Sequence, residues 1–173
     1  MKYFLLSFFS IFLFFINPVN SEQKIAFINM HKVISTSNAG SSILKQLTDL
    51  NNKNLQFLKK EEKKFKEKEI KLISQKNIIS EANFQNKVNE LKSEIKNYNQ
   101  NKDKMINEFN KLKVDNTNNL LKLINPILLK FSDDKKISIV LQKKDLVVAK
   151  TELDITEDII KIVNTEIKEL KIK

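Results

Sequence analysis

The stretch EANFQNKVNELKSEIKNYNQNKDKMINEFNKLKVDN, residues 81–116, sets Phe84, Val88, Leu91, Ile95, Tyr98, Lys102, Met105, Phe109, Leu112 and Asn116 at alternating steps of four and three, and eight of these ten are apolar. A 3.5-residue repeat puts such side chains on one stripe of a supercoiled helix, which needs a partner to cover it. The residues upstream supply one. Positions 44, 51, 58, 65, 72 and 79 hold Leu, Asn, Leu, Phe, Leu and Ile, five of six apolar. The companion positions 47, 54, 61, 68 and 75 hold Leu, Asn, Glu, Lys and Gln, a weaker half of a seam. Exposed pairs such as Glu62 with Lys66 and Glu67 with Lys71 add small local support.

The heptad phase slips near 77–83, and Ser80 is suited to cap a new helix there. The pattern predicts two antiparallel helices with a tip near 78–82. One unbroken rod is the alternative, because neither Gly nor Pro marks the tip. Arms of about 40 residues reach roughly 60 Å at the helical rise. Polar seam positions (Asn51, Asn54, Glu61, Lys68, Lys102, Asn116) loosen the pairing, so the arm should flex.

Outside the arm the pattern changes. Lys24-Ile25-Ala26-Phe27-Ile28-Asn29 is a short apolar run suited to a buried strand. Lys136-Ile137-Ser138-Ile139-Val140-Leu141 is a second, and Asp145-Leu146-Val147-Val148-Ala149 a third, with residues 142–145 as a polar turn. Asp154 or Thr156 is placed to cap a terminal helix whose apolar face carries Ile155, Ile159, Ile160, Ile162, Val163 and Ile167. Residues 170–173 should fray. Pro126, between arm and second strand, should kink or end the long helix and act as the arm hinge, because it lacks an N–H and its ring crowds the preceding turn.

The expected fold class is therefore α+β, mostly α. A small β-rich oligomerisation body (residues 22–40 and 124–173) carries a long antiparallel helical hairpin (41–123), a coiled-coil-like arm. A body of about 65 residues buries too little surface for comfortable stability. Its short strands also leave open edges that invite pairing with another chain. Both features point to an obligate oligomer, with Ile25, Phe27, Ile137, Ile139, Leu141 and Val147 as the candidate body residues.

At the other end, Lys2 precedes fourteen uncharged residues, 3–16, and Asn17-Pro18 breaks the run. Val19-Asn20-Ser21 then places small residues where signal peptidase cuts. Residues 1–21 read as a secretory signal peptide cleaved after Ser21, too short for a membrane span. Six of the twelve Phe fall in this leader, and beyond it the chain has one Gly, one Pro and no Cys. Such sparse turn punctuation favours a few long helices, and without Cys no disulfide supports the fold. All 31 basic residues are Lys, which AT-rich coding explains more simply than function does. The excess charge is local. Residues 41–131 hold nineteen Lys against eleven acids, a net of +8, whereas 132–173 are balanced at nine and nine.

Taken in order, these features resemble the Skp family of periplasmic chaperones, also called OmpH-like. The matching residues are the leader, Lys24-Ile25-Ala26-Phe27-Ile28-Asn29-Met30, Ser37-Asn38-Ala39-Gly40, the Lys/Glu-rich hairpin, Pro126-Ile127, Ile139-Val140-Leu141, and Leu153-Asp154-Ile155-Thr156-Glu157-Asp158-Ile159-Ile160. The resemblance implies a homotrimer with a β-rich hub and three helical hairpins around a cavity. That cavity would hold unfolded outer-membrane proteins in the periplasm without ATP. Arms without any Arg depart from the family.

Under that reading the arm residues Leu58, Phe65, Leu72, Ile79, Phe84 and Tyr98 are the candidate client-facing positions, although a packing seam explains the same stripe. Three arms acting together would gain avidity. The charge would add salt-sensitive attraction for acidic clients and transient contact with an anionic membrane surface. The expected partners are unfolded outer-membrane proteins and further copies of the chain. No nucleophile–base pattern, phosphate loop or ligand cluster appears, so no catalytic residue, cofactor or metal site is expected and the chain reads as a non-enzyme. His31 stands alone beside the first strand. Export, missing Arg and scarce aromatics argue against nucleic acid. A coiled-coil spacer or tether of the cell envelope is the alternative function.

Overall fold

The computed structural model describes residues 23–173. The expected leader and its cleavage site lie outside the described residues. The chain runs β1 (Lys24–Ile28), α1 (Met30–Thr36), α2 (Asn38–Gln75), α3 (Glu81–Lys135), β2 (Ile137–Gln142) and α4 (Thr156–Glu166), with 3-10 turns at Lys143–Asp145 and Thr151–Leu153. It is the mostly helical α+β arrangement with a long hairpin that the heptads imply.

Local chemistry sets each boundary. The Asn29 side chain accepts from the Lys32 N–H at 3.0 Å and opens α1. Ser37 ends α1 in extended backbone and at once caps α2, its hydroxyl accepting from the Gly40 N–H at 3.2 Å. Gly40 is needed at this corner. A Cβ there would stand 1.6 Å from the Ile34 carbonyl oxygen, so only glycine lets the first turn of α2 pass so close to α1. At the far end of the arm residues 76–80 reverse the chain, and the Ser80 hydroxyl accepts from the Asn83 N–H at 3.4 Å to start α3. As α2 runs outward from Glu62 to Lys68, its partners on α3 run back from Lys102 to Glu94, so the helices are antiparallel. Lys136, at φ 55° and ψ 40°, closes α3 in the left-handed conformation.

β1 and β2 pair in parallel, with Ile25 opposite Ile139, Ala26 opposite Val140 and Phe27 opposite Leu141. Parallel neighbours need a crossover connection, and here the crossover is the entire helical arm. One face of the sheet (Ala26, Ile28, Val140) packs onto a core assembled from every element of the body. Val33 of α1, Ile43 and Leu47 of α2, Leu120, Ile124 and Ile127 of α3, and Ile159, Ile160 and Val163 of α4 are all buried there.

Two expectations, and one of the two outcomes foreseen for Pro126, are corrected. The third strand, 145–149, does not form. Leu146 closes a tight turn onto the Lys143 carbonyl at 3.3 Å, and Val147 and Val148 follow in an open loop. Strand propensity depends on what a segment packs against, and among the described residues this run does not add to the free edge of β2. The far side of β1 is instead met by a single bridge to Asp154. Pro126 does not end the long helix, which continues nine residues past it to Lys135. An interior proline costs about 3 kcal/mol. The buried stripe Leu120, Ile124, Ile127 that brackets it outweighs this, at about 1.5–3 kcal/mol per side chain. Pro126 itself is exposed. Residues 170–173 are not frayed but hydrogen-bonded to the base of the arm.

Candidate functional site

The middle of the arm is organised by one polar cluster on an apolar seam. Phe65 and Tyr98 face each other with ring centroids 5.2 Å apart, tilted by 58°. The Tyr98 hydroxyl donates to Glu62 at 3.1 Å, and the Lys102 ammonium donates to the same carboxylate oxygen at 3.1 Å. Hydrogen bonding from Lys102, then from Tyr98, holds the Glu62 carboxyl below its ordinary range. Burial, reinforced by Glu62, pushes the Tyr98 phenol up. One turn further out Lys68 meets Glu94 at 2.5 Å. Exposed pairs of this kind fix the register of the helices more than they stabilise them.

Toward the base from this cluster the seam opens. Asn51 and Asn54 stand where Leu would reach across, and a groove of about 430 Å³ results. Its floor is Leu55, Leu58, Met105, Ile106 and Phe109, and Lys59, Lys102, Glu62 and asparagines form its rim. Leu55 and Ile106 are nearly half exposed on its two lips. Further out, Ile70, Ile73 and Ile78 are more exposed still, on an arm whose net charge is strongly positive.

The body presents a second apolar surface. The outward face of the sheet shows Ile25, Ile139 and Leu141, each about two-fifths exposed. Beside it, Val147 and Val148 stand 100% and 89% exposed on the loop that replaces the expected strand. Phe27, on the same face, is covered by the Lys143 ammonium 5.6 Å from its ring centroid.

Asp154 ties this face to the core. Its carboxylate accepts from the Thr156 N–H at 3.0 Å, from the Thr156 hydroxyl and from Lys143 at 3.1 Å. The Thr156 hydroxyl accepts in turn from the Asn29 N–H at 2.9 Å, and the Ile155 N–H donates to the Phe27 carbonyl at 3.0 Å. Burial pushes the Asp154 carboxyl up, but the bonds from Thr156 and Lys143 outweigh it and hold the group below its ordinary value. Among the described residues no group of three or more His, Cys, Asp or Glu is placed to hold a metal ion, and His31 is exposed on α1.

The residues singled out in the sequence separate into two groups. Leu58 is buried and Phe65, Leu72, Ile79, Phe84 and Tyr98 are half-buried, so all six lie in or beside the seam rather than on the open flanks. In the body, Phe27 is buried, Ile137 half-buried, and Ile25, Ile139, Leu141 and Val147 exposed. The sequence reading missed Leu55 and Ile106. Each is one heptad step beside a stripe residue, and that adjacency was the available signal. It also read Asn116 as a loosening element, yet Asn116 is 4% exposed with both ends of its amide bonded.

The elements thus define a class by shape: a small, mostly helical body with a parallel strand pair, from which a long antiparallel hairpin projects. The profile of the OmpH-like outer membrane protein family matches residues 24–163, and the chain belongs to that family. The crystal structure of a candidate outer membrane chaperone (OmpH-like) from Caulobacter crescentus CB15 superposes with a TM-score of 0.80, covering 88% of this chain and 90% of that one at 14% identity. At that identity the likeness establishes the fold. No curated protein sequence matches the chain.

Proposed function

We propose that the chain is an ATP-independent holdase of the periplasm, exported by a leader cleaved after Ser21, that binds unfolded outer-membrane β-barrel proteins and keeps them from aggregating. The observation that carries this reading is the half-filled seam, whose apolar floor of Leu55, Leu58, Met105, Ile106 and Phe109 lies between polar rims of asparagines, Lys59 and the Lys102–Glu62 pair. An unfolded barrel strand offers alternating apolar residues and aggregates through them. A shallow apolar groove with a polar border takes such residues without selecting one sequence. The Caulobacter protein's designation as a candidate outer membrane chaperone and the family membership support the same class of client.

The holdase acts as a homotrimer. Ile25, Ile139, Leu141 and the Val147–Val148 loop form an apolar sheet face that a second copy would cover. Three arms then enclose one client, and weak contacts sum through effective concentration. Lysines on the arms add attraction for acidic clients and for an anionic membrane surface that salt should weaken.

The test is direct. Residues 22–173 are purified, their mass in solution is measured, and a urea-unfolded barrel protein is diluted into them without nucleotide. A trimer that keeps the barrel soluble supports the reading. An elongated monomer that leaves it to precipitate overturns it in favour of an envelope spacer.

A further inference from the structure

The residues after α4, 167–173, form a strap that is extended rather than helical and lies across the base of the arm. Two side-chain amides hold it. Gln46 donates through Nε2 to the Leu170 carbonyl at 2.7 Å and accepts through Oε1 from the Ile172 N–H at 3.2 Å. Asn116 accepts through Oδ1 from the Lys173 N–H at 3.3 Å and donates through Nδ2 to the Lys173 carbonyl at 3.4 Å. The Ser42 hydroxyl adds a bond to the Leu170 carbonyl at 3.3 Å. Every one of these contacts is to main chain, so nothing in them reads the identity of a side chain.

The side chains show a matching regularity. Leu170 and Ile172 turn toward the core and are half-buried, while Lys171 and Lys173 point outward and are exposed. Over these four residues the side chains alternate inward and outward as in a β-strand, whereas Lys168 and Glu169 just before them are both exposed. A surface that offers donors and acceptors to main chain and seats two side chains one residue apart does for a short strand what a sheet edge does. The strap is also held loosely. Four of the five bonds it makes to the arm are 3.2 Å or longer, while Ile167 at its root is buried and bonded to the Val163 carbonyl at 2.8 Å. A cleft of about 1110 Å³ runs between it and Ser42, Lys45, Gln46 and Asp49 of α2. The family match ends at Val163, before the strap begins.

We propose that this groove is a binding site for extended segments of unfolded polypeptide with apolar residues at alternate positions, and that the strap is its resident occupant, displaced when such a segment arrives. The proposal rests on the holdase reading and adds to it a second, self-gated site at the base of the arm, away from the mid-arm groove. Displacement frees Leu170 and Ile172, and the incoming strand replaces both their apolar contacts and their main-chain bonds.

The probe is a fluorescein-labelled synthetic peptide of residues 165–173. It is titrated by polarisation into the full chain and into the full-length double variant Leu170→Asp/Ile172→Asp, whose helical content is first checked by circular dichroism. The probe should bind the opened variant at least tenfold more tightly than the parent. Adding Gln46→Leu should weaken it at least tenfold, and a barrel-strand peptide with alternating apolar residues should compete. Equal binding to parent and opened variant, binding to neither, or undiminished binding of a probe N-methylated at the Ile172 nitrogen would overturn the proposal. A second measurement needs no variant. Saturating barrel-strand peptide added to the parent should speed amide exchange at Ile172 and Lys173 at least tenfold, and unchanged exchange refutes displacement. A parent chain that suppresses barrel aggregation while its groove ignores the peptide sinks this proposal alone. One that fails to suppress aggregation sinks the holdase reading, whatever the peptide does.

Discussion

Replacing Gly40 with alanine sets two effects of opposite sign against each other at the joint between α1 and α2. Gly40 lies inside the first turns of α2, where alanine is favoured by about 1 kcal/mol. The added Cβ, however, would fall 1.6 Å from the Ile34 carbonyl oxygen and 2.7 Å from its carbon. Both atoms are main chain, so no rotamer change relieves the overlap. Either α1 moves or the first turn of α2 does. Both moves disturb Val33, Ser37 and Ala39, each wholly buried. Overpacking against a rigid neighbour costs about 1–3 kcal/mol, and a backbone clash belongs at the upper end. The net expectation for Gly40→Ala is a loss of about 2 kcal/mol, the packing cost less the propensity gain.

The assay is urea unfolding followed by helical circular dichroism, with the midpoint as readout and the slope as a check that the unfolded state is unchanged. Lys45→Ala, exposed one turn further along α2, is the control and should change stability by less than about 0.5 kcal/mol. If Gly40→Ala equals or exceeds the parent midpoint at unchanged slope, helix propensity has won and the close crossing of α1 and α2 is not what the structure shows.

Two further substitutions probe how the body is tied together. Pro126→Ala should stabilise the chain by about 2 kcal/mol, since the interior penalty of about 3 is partly offset by the stiffer unfolded chain that proline gives. A melting temperature that stays level or falls would mean the helix needs the proline. Asp154→Ala removes the acceptor for Thr156 and Lys143 and should cost about 1–3 kcal/mol at neutral pH. Because the carboxyl is held below its ordinary value in the folded chain, its contribution is complete above about pH 4 and fades as pH falls through the lowered value. Unfolding midpoints of parent and variant should therefore converge on acidification, and a gap that persists at the acid end would contradict the assignment.

The arm was legible because its signal is repeated. Eight apolar residues at alternating steps of four and three leave one period open, and Ser80 marks where the second helix begins. β1 and β2 were legible as runs of Ile, Val, Phe and Leu. Their parallel pairing was not, since partners such as Ile25 and Ile139 are separated by the whole arm and no local pattern encodes the match. α1 escaped notice because seven residues, MHKVIST, are too few to establish a period. The run at 145–149 misled because β-propensity depends on a partner strand, and among the described residues none pairs with it. The strap escaped for a related reason. Asn116 looks like a flaw in the seam, and Gln46 like an ordinary polar residue beside it, until the segment they bind, more than fifty residues away along the chain, is laid beside them.

Burial is distributed along the arm in a way that bears on its work. The buried positions of α2 are Ala39, Gly40, Ile43, Leu47 and Leu58, and those of α3 are Asn116, Leu120, Ile124 and Ile127. Beyond Leu58 on one helix and before Asn116 on the other, no side chain is fully buried, so the outer arm is held by a half-wet seam and by exposed ion pairs. Most helical stability in proteins comes from packing an apolar face, and it must fall from base to tip here. A gradient of this kind suits a binder of many sequences. The rigid base fixes where the arm points, while the soft outer part can repack around whatever apolar residues it meets. The surplus of lysine acts in the same direction. In the proposed trimer it would hold neighbouring arms apart and leave their apolar grooves open until a client lies between them.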